Sequence, residues 1–310
     1  MERYYSANEY YKNRFGRKMF RLAVDCGFTC PNRDGTKGIG GCSFCSGEGS
    51  GDFAARGADV AAALQCARER ISEKTAHYPG CGYICYFQAF TNTYAPVARL
   101  RELFTAAMEV DFVSALIIAT RPDCIDESVA ALLAELNAIK PVYIELGLQT
   151  ANEETARAFG RGYTNAEFTA AAALLSGYGI PVTVHLIIGL PGETEEDILS
   201  TVRFVSAHDI FGVKLQLLHL LRGTRLAAQG CETLEKEEYF RLLGICVENL
   251  PRSVVIFRLT GDGDRKKLIS PLWSADKHSV LNGINRYFRE NGIYQGRALE
   301  RAEYAPEPRQ

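Results

Sequence analysis

The chain of 310 residues contains no apolar run approaching the ~18 residues of a membrane span, and no low-complexity segment. Its start, residues 1–11, is polar and aromatic and has no apolar signal-peptide core. The expectation is a cytoplasmic protein with no membrane contact. In that reducing setting the ten cysteines are not a disulfide framework; they are metal ligands, a catalytic thiol or small buried residues. An excess of one charge is missing as well. Lys and Arg total 35 against 37 Asp and Glu, a net charge of −2, so no overall basicity announces nucleic acid. What is present is globular composition, 47% apolar and 23% charged, in a length that suits one large domain or two small ones.

The charge is unevenly placed. Residues 1–25 carry six Lys and Arg against three Asp and Glu, residues 251–310 carry eleven against seven, and the centre is acidic. One reading is an ordinary solvated surface. The other is that both ends, with Arg14, Arg17 and Lys18 at one and Arg265, Lys266 and Lys267 at the other, build a single phosphate-facing surface.

Short apolar runs at 20–25, 83–88, 113–120, 142–149, 182–189 and 213–220 are rich in β-branched and aromatic residues, as buried parallel strands are. Between them, 58–73, 96–110, 127–139, 166–177 and 195–208 show apolar stripes at helical spacing. Thr194 ahead of Glu195, Glu196 and Asp197 reads as an N-cap with acids in the first turn. Six strand–helix units in succession define an α/β protein with a parallel sheet, curled into a barrel or doubly wound. Beyond Leu221 the pattern changes to a helix over 234–250, a strand over 254–259, a helix over 276–291 and a frayed tail from Arg301.

The first strand runs into a loop with Cys26, Cys30, Cys42 and Cys45 among eight glycines between Gly27 and Gly51, which permit tight turns and close approach to a bulky ligand. Four thiolates close a tetrahedral zinc site. Three hold a [4Fe–4S] cluster and leave one iron open. The loop sits at the C-terminal mouth of a (β/α) series, where an open site has a use.

The spacing Cys30-x11-Cys42-x2-Cys45, with Phe44 before the last cysteine, resembles the radical S-adenosylmethionine (SAM) superfamily. The common spacing there is Cys-x3-Cys-x2-Cys. The longer first gap resembles the branch that includes the elongator catalytic subunit, and residues 25–53 resemble a bacterial family within it. The resemblance runs through nearly the whole chain. It implies a partial (β/α)6 TIM-like radical SAM barrel over residues 19–221, an N-terminal basic segment over 1–18, and a small C-terminal α/β extension over 222–310 that contacts substrate or RNA. It implies a [4Fe–4S] cluster on Cys30, Cys42 and Cys45, with Cys26 outside the ligand set. SAM is then held by Phe44, Gln88, Thr91, Gln149, Arg161 and His185, Arg161 pairing with its carboxylate.

Glu145, Lys214 and Gln216 interrupt apolar strands at positions facing the barrel interior, and are the candidate catalytic residues. The implied activity is reductive cleavage of SAM to a 5′-deoxyadenosyl radical, with electrons from a flavodoxin or ferredoxin. The implied substrate is the C5 side chain of a tRNA wobble uridine, the basic ends contacting phosphate and Trp273 offering a stacking face. The alternatives are a radical SAM enzyme on a small metabolite or peptide, and a metal-stabilised RNA-binding protein without catalysis.

Overall fold

The structure, a computed structural model, describes residues 3–261 and 263–303. Among the described residues nine strands form: β1 Met19–Val24, β2 Gly82–Phe87, β3 Val113–Thr120, β4 Val142–Gln149, β5 Val182–Ile188, β6 Gly212–Leu217, β7 Leu220–Leu221, β8 Val255–Arg258 and β9 Leu268–Ser270. Seven make one sheet in the order β1-β2-β3-β4-β5-β6-β8, parallel at every pairing. The sheet is the curled half-barrel of a partial TIM-like fold. The strand expected in the C-terminal extension, β8, is its seventh member, laid beside β6. β7 and β9 form a separate antiparallel pair.

Because strand side chains alternate, the sheet has two different faces. The outer one, with Leu22, Phe87, Ile118, Ile144, Val184 and Leu215, packs against helical residues such as Leu64, Phe104, Leu133, Phe168 and Val202. This is the larger core, and the helices that cover it lie where the apolar stripes predict, including Val97–Glu109, Glu127–Asn137, Asn165–Gly177 and Glu195–Ser206. Thr194 caps the last of these in a capping box with Asp197. The helix Arg297–Glu303 carries the chain past Arg301, and the expected frayed tail beyond it lies outside the described residues.

The inner face has a small core of its own: Met19, Ile84, Tyr86, Ala115, Ile117, Ala119 and Tyr143. An N-terminal helix, Ala7–Phe15, closes it from below. The Tyr10 ring stands edge-on to Phe211 at 4.7 Å and Tyr143 at 6.2 Å, and its hydroxyl hydrogen-bonds that of Tyr143 at 2.9 Å. Tyr11 is buried against Phe257 and Tyr143.

This corrects the reading of the two basic ends as one surface. Arg17 donates to Ser114 at the start of β3, and Lys18 immediately precedes β1, so the N-terminal cations lie at the closed end of the barrel. Lys267 pairs instead with Asp52 in the loop after β1, at the open end.

Tyr11→Ala removes a buried ring from between Tyr143 and Phe257 and leaves a cavity there. Urea unfolding under argon is expected to show a loss of about 3 kcal/mol.

Candidate active site

The loop after β1 returns to the sheet at Ala55, whose carbonyl accepts from Asp25 at 2.9 Å and whose amide donates to Ala23 at 2.8 Å. Within it, tight turns bond Arg33 N to Cys30 O at 2.8 Å and Cys45 N to Cys42 O at 3.1 Å. The loop is docked on the turn after β4. Ser43 donates to Phe159 O at 2.9 Å, and the Phe44 ring packs edge-on to Phe159 at 5.2 Å. The buried Asn32 amide donates to the carbonyls of Gly160 (2.7 Å) and Arg161 (3.0 Å) and reaches Cys42 Sγ at 3.3 Å. Gly162 is required here: its φ is +76°, and a Cβ would lie 2.5 Å from Asn32 Oδ1.

Cys30, Cys42 and Cys45 line one cavity of about 260 Å³ at the C-terminal ends of the strands. Arg121 Nη1 lies 3.7 Å from Cys30 Sγ, and Ser50 Oγ 3.9 Å from Cys45 Sγ. The hydrogen bond with Cys42 pulls the Cys45 thiol down and pushes Cys42 up, so the pair gives up one proton readily. Among the described residues, no three His, Cys, Asp or Glu side chains gather so as to hold a single metal ion. Three thiols lining one shared space are the donor set of a multi-iron cluster with one open corner. Cys26 faces elsewhere: it lines a separate groove with Phe28, Arg99 and Leu103, and burial pushes its thiol up to about 12.

The structure brings Phe44, Gln88, Thr91, Gln149 and His185 to the walls of the same cavity. Gln88 Nε2 donates to Ser50 O at 2.6 Å, and Tyr163 donates to Gln149 Oε1 at 3.1 Å. Among the described residues, three non-glycine residues have φ between +61° and +67°: Ser50, Phe90 and Gln149. All three line this cavity, and such strain concentrates at functional sites.

Arg161 is the predicted site residue that does not reach the cavity. Its buried guanidinium donates to the carbonyls of Tyr163 (2.8 Å), Leu148 (3.2 Å) and Thr150 (2.8 Å) and to Asn165 Oδ1 (3.0 Å). It grips the backbone on both sides of Gln149. The guanidiniums that do line the cavity are Arg33, set 5.4 Å over Phe90, Arg121, paired with Asp123 at 2.7 Å, and Arg258 beside Gln216. Trp273 is no open stacking face either: it packs on Tyr239 and Phe240 and donates to Leu234 O at 3.1 Å.

The floor is a buried polar network centred on Glu145. Its carboxylate accepts from Tyr86 at 2.6 Å and His185 Nε2 at 2.8 Å, pairs with Lys214, and has Arg21 at 3.4 Å. Burial alone would raise Glu145, but Lys214, His185 and Arg21 outweigh it and hold the carboxyl well below its usual range. Lys214 also donates to Tyr86 Oη at 3.2 Å, and Gln216 accepts from Arg258 at 3.4 Å. Burial, then the charge of Lys214, drive His185 down to about 4, leaving a neutral ring that donates to Glu145. Sequence reasoning missed Tyr86, although it shares the period-two face of Ile84 and carries a polar group on it. It also missed Arg33 and the exposed Phe53, which nothing in their local pattern marks.

Comparison with known proteins agrees with this geometry. The model of the Radical SAM superfamily matches residues 29–205, and that of the Radical_SAM C-terminal domain matches residues 210–290, which takes in β6 and β8. The chain belongs to the Radical SAM superfamily, whose members use a [4Fe–4S] cluster and SAM. It is 41% identical over 307 residues to YtqA of Bacillus subtilis (strain 168), covering 97% of this chain and 94% of that protein. It is 34% identical over 298 residues to YhcC of Escherichia coli (strain K12), covering 94% of each. The fold superposes on the archaeal Elp3 of Methanocaldococcus infernus with a TM-score of 0.66 at 16% identity, over 89% of this chain and 64% of that one. A shorter match, 30% over 114 residues, is to the tRNA uridine(34) acetyltransferase of Dehalococcoides mccartyi, covering 36% of this chain and 24% of that enzyme.

His185 has a folded pKa below its unfolded value, so its contribution to stability is full above ~6.5 and is lost as pH falls toward about 4. Over that window wild type is expected to lose up to about 3 kcal/mol more than His185→Gln. Denaturant titrations at a series of pH values, with equal slopes for both proteins, would refute the assignment.

Proposed function

We propose that this chain is a radical SAM enzyme acting on transfer RNA, at the C5 side chain of a wobble uridine. The observation that carries the tRNA reading is the 30% identity over 114 residues to an enzyme named for uridine 34. Position 34 is the wobble position. In this reading Cys30, Cys42 and Cys45 hold the cluster, and SAM is held between Phe44, Gln88, Thr91, Gln149 and His185. When bound, cluster and SAM supply one-electron cleavage of the sulfonium and, with it, hydrogen-atom abstraction from an unactivated C–H bond.

The chain's own residues prepare the place. Arg161, through the Leu148 and Thr150 carbonyls, holds Gln149 in its strained conformation. It is therefore a positioning residue and not a direct partner of the SAM carboxylate. Glu145 holds Lys214 and His185, and the floor then presents Lys214 and Gln216 to the substrate side of the cavity. The aromatic plug below keeps water out of that floor. The reading needs an external one-electron reductant of the flavodoxin or ferredoxin type.

Two measurements test it. After anaerobic reconstitution with iron and sulfide, Cys30→Ala, Cys42→Ala and Cys45→Ala are each expected to lose the bound iron, whereas Cys26→Ala keeps it. Iron retained in Cys30→Ala or lost in Cys26→Ala would mean a different ligand set. For the substrate, nucleoside mass spectrometry of total tRNA from a deletion strain is expected to show an altered wobble-uridine derivative. An unchanged profile in a strain without a redundant enzyme rejects tRNA and leaves the superfamily membership standing.

A further inference from the structure

Four exposed cations adjoin the cavity on the C-terminal side: Arg222 follows the lining residue Leu221, Arg225 reaches the lining residue Gly41, and Arg265 and Lys266 come shortly after the lining residue Gly263. None is in an ion pair with another described residue. On the helical face the pattern differs, with Arg101 paired to Glu135, Arg203 to Glu196 and Arg241 to Glu195 and Glu238. The antiparallel pairing of β7 with β9, strands far apart in the chain, brings these cations together. Arg222 N donates to Lys267 O at 2.7 Å, which sets Arg222 beside the turn that carries Arg265 and Lys266. Arg225 Nη2 donates to Gly41 O at 2.6 Å and so extends the row onto the cysteine loop. Of the acids near this turn, Asp52 pairs with Lys267, Glu48 lies close to the same lysine, and Asp264 accepts from the Lys266 backbone amide at 3.0 Å. Like charges held this close repel one another, and the arrangement favours an incoming polyanion.

Beside these cations lies an exposed ring. Phe53 is 52% exposed and lines the cavity. Its neighbour Asp52 is tied to Lys267 at 2.7 Å, which places the ring next to the β7–β9 pair. Ile269, on β9, is 46% exposed on the same strand pair.

We propose that this rim, the antiparallel β7–β9 pair with the cysteine loop, is the contact surface for a single-stranded RNA loop, with phosphates on Arg222, Arg225, Arg265 and Lys266 and an unstacked base on Phe53. The proposal rests on the tRNA reading above. An acidic protein would satisfy the cations but has no use for an aromatic face inside the cavity mouth. A loop whose base must enter that mouth uses both.

The test uses cluster-reconstituted protein and a synthetic anticodon stem–loop RNA with uridine at the wobble position, followed by fluorescence anisotropy under argon at several salt concentrations. Arg265→Glu combined with Lys266→Glu is expected to weaken binding more than tenfold at low salt. It should also flatten the dependence of log Kd on log salt by about 1–1.5, two single-strand phosphates at ~0.7 each, with iron content unchanged. Phe53→Ala should weaken binding about tenfold with the salt slope kept. Equal affinity and slope in wild type and the charge-reversal variant, with wild type binding well, overturns the rim and leaves the tRNA reading intact. No binding by wild type removes the tRNA reading and the rim with it. If the variant keeps RNA affinity but is reduced more slowly by flavodoxin, the rim is a protein interface and the proposal fails.

Discussion

The side-chain amide of Asn32 joins the two halves of the site. It donates to two carbonyls in the turn after β4 and to the Cys42 sulfur, and is almost wholly buried as it does so. Without that clamp a glycine-rich loop would have many conformations of similar energy. With it, Phe44 meets Phe159, the thiols face the strand ends, and Tyr163 reaches Gln149 from the same turn. The loop's glycines give the backbone its freedom, and one amide removes most of it.

Below that loop the barrel carries a charged centre at an acceptable cost. A lone buried carboxylate would be prohibitive, and one attached to a single lysine is often no gain. Glu145 instead meets Tyr86, His185, Lys214 and Arg21, so both of its oxygens are occupied and the network has direction. The aromatic rings of Tyr10, Tyr11, Phe211 and Phe257 seal the side away from the cavity. The polar centre therefore faces one way only, toward the space the thiols share.

Much of this was legible in the sequence, and the reasons differ from residue to residue. Strands such as Val113–Thr120 and Val142–Gln149 were readable because a doubly covered sheet demands continuous apolar runs. The cysteine spacing was readable because ligand sets are local. The helix Ala7–Phe15 was not, since its buried face exists only through Tyr143, Phe211 and Phe257, far away in the chain. The seat of β8 beside β6 was invisible for the same reason. Arg161 shows the limit at the site. Its type and spacing suit a carboxylate, but the turn at Gly160 and Gly162 aims it at backbone carbonyls, and Arg121 lines the cavity instead. Trp273 was drawn to an exposed role by its glycine-rich and charged neighbours, yet Tyr239 and Phe240 take it into the core margin.

Ser50, Phe90 and Gln149 hold left-handed backbone conformations that glycine would adopt freely. Each keeps in the folded state a conformational energy on the order of 1 kcal/mol or more. A search for hardier variants, by directed selection or by design, would therefore be drawn to glycine at these three positions. It would find molecules that survive heating better and have lost the walls that give the cavity its shape.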